Sequence, residues 1–149
     1  MKVQSKRYEP VLFPTYILQQ AFNKVNAVGS ATALVAILNK NELSIANIGD
    51  SGFLVIRFKN GEPFCPHKSK EQQHAFNIPY QLSQLPTQAD LEILRRKGKL
   101  TEMSKLKQVL KKKNNVCQDS PENADDYNIE LKEGDIVVSA TDGVFDNLF

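Results

Sequence analysis

Leu43-Ser-Ile-Ala-Asn-Ile-Gly49-Asp50-Ser51-Gly52-Phe-Leu-Val-Ile-Arg-Phe-Lys59 holds two strand candidates joined at a glycine-aspartate turn, and Asn60-Gly61 closes the second. β-Branched and aromatic residues dominate both runs, and Asn-Gly is a strong two-residue hairpin signal. Upstream, Ser30 to Leu38 is too apolar to alternate and follows Gly29, which predicts a strand buried on both faces. Asn39 to Glu42 reads as a turn. Further upstream, Pro14 and Thr15 open a segment in which Leu18, Ala21, Phe22 and Val25 share one face, predicting an amphipathic helix of about three turns. One helix followed by consecutive antiparallel strands is an α+β pattern.

Downstream, Pro63, Pro66, Pro79 and Pro86 interrupt a polar stretch, so residues 63–86 are expected to be irregular. Asp90 to Lys113 returns to helical spacing, with Leu91, Leu94, Leu100, Met103, Leu106, Val109 and Leu110 set among lysines and Gly98 as a weak point. One or two basic amphipathic helices are predicted. Tyr127 to Leu131 reads as a strand, Glu133-Gly134 as a turn, and Asp135 to Ala140 as a buried strand leading into Thr141-Asp-Gly-Val-Phe-Asp146.

At 149 residues the chain suits one domain, and 41% hydrophobic with 24% charged residues excludes disordered and collagen-like classes. The net charge of +2 conceals a segregation. Residues 1–94 carry +2, Arg95 to Lys113 carries +8, and residues 114–149 carry −8. Such blocks imply either attracting faces or an acidic site preceded by a basic insertion. Cys65 and Cys117 match no metal spacing and read as reduced thiols, which suits an intracellular compartment. The longest apolar stretch free of charge, Ala31 to Leu38, falls far below the roughly 18 residues of a membrane span. Met1 to Pro10 includes Glu9 and no apolar core follows, so neither a secretory signal nor a transit peptide is expected there.

Two motifs place an aspartate beside glycine after an apolar strand: Gly49-Asp50-Ser51-Gly52 and Asp142-Gly143 with Asp146 four residues beyond. Carboxylates gathered from strand ends are what hard divalent cations such as Mg²⁺ or Mn²⁺ require, and glycine admits a close approach. Asp-Gly is equally a common turn, so both readings stay open on position alone.

Gly29-Ser-Ala-Thr-Ala33, Ala46-Asn-Ile-Gly-Asp-Ser-Gly-Phe-Leu-Val-Ile-Arg57, Glu71-Gln-Gln-His-Ala-Phe-Asn-Ile-Pro-Tyr-Gln-Leu82, Asp119-Ser-Pro121 and Gly134-Asp-Ile-Val-Val-Ser-Ala-Thr-Asp-Gly-Val-Phe-Asp-Asn147 together resemble the metal-dependent type 2C protein phosphatases, in their mitochondrial branch. The resemblance covers about Pro14 to Phe149, excepting Gln88 to Val116. It implies an α+β, four-layer α/β/β/α sandwich, present in part over residues 1–149, with a basic helical insertion at about residues 88–116. It also implies dephosphorylation of phosphoserine and phosphothreonine in proteins by metal-activated water at a two-metal Mg²⁺ or Mn²⁺ centre, with no catalytic residue separate from the metal ligands.

By the same resemblance Asp142 matches a ligand of one core ion, and Asp50 and Asp146 match carboxylates of a third, weaker site. Gly49, Ser51 and Gly143 match backbone-shaping positions. Thr32 also falls in a family motif, but reads first as a packed strand residue. The family's bridging aspartate and phosphate-binding arginine have no counterpart near the start of the chain, nor has its last metal aspartate near the end. The expectation is therefore a fragment of a complete catalytic domain, the alternative being a catalytically deficient interaction module.

Partners expected are a phosphoprotein substrate and, for Arg95 to Lys113, an acidic partner. Nucleic acid is not favoured, because that stretch lacks interleaved aromatics. His74 reads as a structural hydrogen-bonding residue and His67 as surface. The family branch implies a mitochondrial location, with the cytoplasm as alternative.

Overall fold

The computed structural model describes residues 13–111 and 117–147. Its first helix, α1 (Pro14–Phe22), starts with proline at the first helical position, where the missing N–H costs nothing. It ends three residues short of Val25, which lies exposed beyond it.

The expected run Ser30 to Leu38 splits at Thr32 into β1 (Gly29–Ala31) and β2 (Ala33–Asn39). β3 (Glu42–Ile48) and β4 (Gly52–Lys59) follow as expected. Asn60 and Gly61, both at positive φ, turn the chain into β5 (Glu62–Lys68). Short strands β6 (Gln73–Ala75), β7 (Ile78–Pro79) and β8 (Leu82–Gln84) come next. The expectation of irregular backbone from Pro63 onward is therefore corrected. Among the described residues β5 pairs only with β4, and its register shifts where Pro66 stands, so both of its prolines sit on an edge strand beside a bulge, where a missing ladder N–H is tolerated.

The basic stretch folds as two helices, α2 (Gln88–Arg96) and α3 (Leu100–Lys111). A capping box between Thr87 and Asp90 starts α2. Gly98, at φ 68°, ends it: Lys99 N–H donates to the Leu94 carbonyl and Gly98 N–H to that of Arg95, a Schellman termination. Residues 112 and 113 of the expected helix lie outside the described residues. A short 3-10 turn (Pro121–Asn123) leads to β9 (Asp125–Glu130), then β10 (Ile136–Ala140) and α4 (Asp142–Phe145).

Two three-stranded antiparallel sheets, β2-β3-β9 and β10-β4-β5, pack face to face. Leu43 and Ile45 of β3 and Ile129 of β9 meet Phe53 and Val55 of β4, and the Tyr127 ring sits edge-on to Phe53 at 5.0 Å. Helix α1 covers the outer face of β2 and β3, and Thr15 hydrogen-bonds Asp126 of β9. The described layers are thus helix, sheet and sheet, a partial form of the expected sandwich.

The sandwich is open along β2 and β10. By register Ala36 and Leu38 of β2 share the inward face of Ile45 and Leu43, and Val137 of β10 shares that of Val55, yet all three are exposed. The burial expected for these strands is corrected for that reason: each is an edge strand among the described residues, with no neighbour laid over its inner face.

Candidate functional site

Gly52 of β4 pairs with Ala140 of β10 in antiparallel register. Asp50 lies two residues before Gly52, and Asp142 two beyond Ala140, so the two aspartates leave the same end of the same strand pair. They stand ninety-two positions apart in the sequence, and the ladder brings their strand ends together. Asp146 closes the short helix α4, its N–H donating to the Asp142 carbonyl at 2.8 Å, and is exposed.

Gly49 controls how Asp50 is presented. Its φ of +99° lies in the region that only glycine adopts cheaply, and a Cβ there would stand 2.3 Å from Thr32 Cγ2 and 2.6 Å from the Tyr80 carbonyl oxygen. Gln72 holds the same residue at both backbone atoms. Gly49 N–H donates to Gln72 Oε1, and Gln72 N–H donates to the Gly49 carbonyl, each at 3.0 Å. The Gln72 amide continues to the Asn123 carbonyl at 2.8 Å. The turn is thereby tied to the 3-10 segment before β9.

Ser51 is buried, its hydroxyl 2.8 Å from that of Thr32. Thr32, first read as a packed strand residue, is half-buried in the break between β1 and β2 rather than within a strand, and its hydroxyl contacts the aspartate turn. His74 Nε2 lies 3.0 Å from both oxygens of buried Asp119, and its ring stacks on Tyr80 at 4.0 Å. Asp119 also accepts the Gln81 N–H at 2.8 Å, so His74 is structural here. His67 is exposed. Gly143 differs from Gly49: its φ is not positive, and a Cβ would meet only Thr141 Oγ1 at 3.6 Å, so the described backbone does not itself demand glycine.

The cleft at this edge, about 330 Å³, is lined by Thr32, Leu34, Ser51, Ser139 and Thr141 among others. Asp142 Oδ1 accepts the Gly143 N–H at 2.8 Å, turned onto its own backbone. Among the described residues no three His, Cys, Asp or Glu side chains are gathered to hold a metal ion. The donor set therefore does not fit a complete two-ion centre, although Asp50 and Asp142 share one edge. Beside it, Asn47 is fully buried on the inner face, opposite Leu34 and Asp125, with neither amide atom hydrogen-bonded.

Gln72 and Asn47 escaped sequence reasoning. Gln72 stands in a polar run where nothing marks one glutamine over the next, and Asn47 looks like any polar residue of a strand.

No protein-family model matches the chain. It is 40% identical over 128 residues to the human protein named protein phosphatase PTC7 homolog, covering 85% of this chain and 33% of that protein. Probable protein phosphatase 2C 62 of Arabidopsis thaliana is 34% identical over 148 residues, 99% of this chain and 16% of that one. In structure, the chain is similar to the photosystem II phosphatase PBCP solved by X-ray methods, with a TM-score of 0.65 and 29% identity over 91% of this chain and 41% of that one. The chain spans about a third of the length of the PTC7 homologs it matches.

Proposed function

We infer that this chain, a member of the type 2C protein phosphatase family, forms part of an enzyme that hydrolyses phosphoserine and phosphothreonine in proteins. The observation that supports this reading best is the placement of Asp50 and Asp142 at matching positions on one end of the β4–β10 pair. Phosphatases of this type are generally metal-dependent. The proposal makes Mg²⁺ or Mn²⁺ the resident ions, Asp142 a ligand of one core ion, and Asp50 and Asp146 carboxylates of a more peripheral one. Further donors are needed to complete a two-ion centre, so no step of the reaction is derived through it.

What these residues do is set the edge. The Gly49 turn, fixed at both backbone atoms by Gln72, determines where the Asp50 carboxylate leaves the sheet. Thr32 and Ser51 spend their hydroxyls on each other, and the cleft they line with Thr141 lies beside the strand ends from which Asp50 and Asp142 leave. Phosphoproteins are the proposed substrates and mitochondria the proposed location; organelle fractionation checks the second.

The test is phosphate release from phosphothreonine, phosphoserine and phosphotyrosine peptides by the full product of the gene that encodes this chain, with Mn²⁺ and with EDTA. Release from the first two that is abolished by EDTA is expected. No release, or release indifferent to EDTA, sinks the reading and turns it toward a catalytically deficient module.

A further inference from the structure

The α2–α3 hairpin is specified by its own sequence and buries little. Its start is fixed by the Thr87–Asp90 capping box and its bend by Gly98. Yet α3 contains no buried residue and packs chiefly on α2, and Leu91 is the one buried residue of α2. Such a device adds little to the core, so its remaining content is its surface.

That surface is cationic and only partly neutralised. Glu92 pairs with Arg95 and Arg96, and Lys99 pairs with Glu102. Lys97, Lys105, Lys107 and Lys111 are exposed and have no carboxylate within ion-pair reach among the described residues. Three kinds of anionic partner compete for it. Single-stranded RNA needs aromatic stacking platforms, and residues 88–111 contain no aromatic. A membrane surface needs a continuous free apolar stripe, but Met103, Leu106 and Leu110 of α3 are half-buried, and its exposed apolar residues Leu100 and Val109, nine positions apart, fall on opposite faces of the helix. An acidic peptide needs only the unpaired charges and room to lie along them.

The hairpin is also rooted near the aspartate edge. It springs from β8, which pairs with β1, and the chain returns at Asp119, bridged to Leu82 and bonded to His74 beside the Gly49 turn. We propose that the α2–α3 hairpin is a docking site for an acidic segment of the phosphoprotein substrate, set apart from the phosphorylated residue. This rests on the phosphatase reading for the word substrate, but not for the binding itself.

Fluorescence anisotropy with a labelled, unphosphorylated Glu-rich peptide tests the binding without any reaction. The chain is expected to bind it in a salt-sensitive manner, and the triple variant K105Q/K107Q/K111Q to bind about tenfold more weakly, as loss of several exposed charge contacts implies. The double variant K24Q/K40Q, on the opposite part of the sequence, should bind as the parent does. Unchanged helix content by circular dichroism confirms that the triple variant is folded. Equal affinity of the parent and triple variant overturns the proposal, as does tighter binding of a poly(U) oligonucleotide or of vesicles rich in phosphatidylserine. The two readings fail separately: peptide binding lost in the triple variant without any phosphate release removes the enzyme and keeps the docking site. Phosphate release with the same kcat/KM for acidic-flanked and neutral peptides removes the docking site and keeps the enzyme.

Discussion

Substituting Gly49→Ala asks whether the aspartate turn is held as the geometry says. Two costs act together. An alanine at φ +99° is strained by about 1 to 2 kcal/mol, and its Cβ would overlap Thr32 Cγ2 at 2.3 Å and the Tyr80 carbonyl at 2.6 Å, an overpacking that costs about 1 to 3 kcal/mol. The expected loss is about 2 to 5 kcal/mol, a large share of the roughly 5 to 15 kcal/mol that holds a domain together. Gly61→Ala supplies the control, since Gly61 has φ +86° but nothing within 4 Å of an added Cβ. It should lose only the strain, about 1 to 2 kcal/mol. Urea unfolding followed by circular dichroism reads both. Adding Thr32→Ser to Gly49→Ala keeps the Thr32–Ser51 hydroxyl contact while removing the methyl, and should restore part of the loss. Equal shifts for Gly49→Ala and Gly61→Ala would refute the reasoning, because the packing around the turn would then contribute nothing.

Gln72→Ala leaves the buried Gly49 N–H without its acceptor, and a loss of about 1 to 3 kcal/mol in the same urea assay is expected. Asn47→Leu replaces a buried amide with no hydrogen bonds by an apolar group of similar size, so the unfolding midpoint should rise or hold; a fall of more than about 1 kcal/mol would mean that Asn47 has a partner. Asp135 is held at about 2 by its hydrogen bond to the Arg57 guanidinium and by the Lys132 N–H, below the ordinary carboxylate value near 4. A depressed carboxyl contributes stability above its unfolded pKa and loses it as the pH falls through the folded one. The parent chain's melting temperature should therefore drop more steeply between about pH 4 and 2 than that of Asp135→Asn, the two curves converging at the acid end; parallel curves would contradict the pairing.

The strands that decide the fold were legible because β3 and β4 carry both signals at once, apolar runs and a glycine turn with a hairpin closing the second. The helical hairpin was legible from its spacing and Gly98. β5 was not, because two prolines forbid a central strand while an edge strand beside a bulge tolerates them, and edge position is a property of the sheet. The burial of β2 and β10 was misjudged for a related reason: an apolar run records what a strand can bury, whereas Leu38 at 61% and Val137 at 39% exposure record that nothing lies over them among the described residues. For the site, Asp50 and Asp142 stand out beside their glycines, but that they leave the same end of one strand pair depends on the β4–β10 register. Gln72 acts through its distance from Gly49, which no local pattern encodes.

The most direct measurement compares phosphate release from a phosphothreonine peptide by the full gene product with that of its Asp142→Asn variant, in Mn²⁺, with circular dichroism on both. Matching spectra are expected, with turnover lost in the variant by at least about a hundredfold, since the carboxylate proposed as a metal ligand is removed while the sheet register is kept. Turnover retained by a folded Asp142→Asn variant would contradict that role.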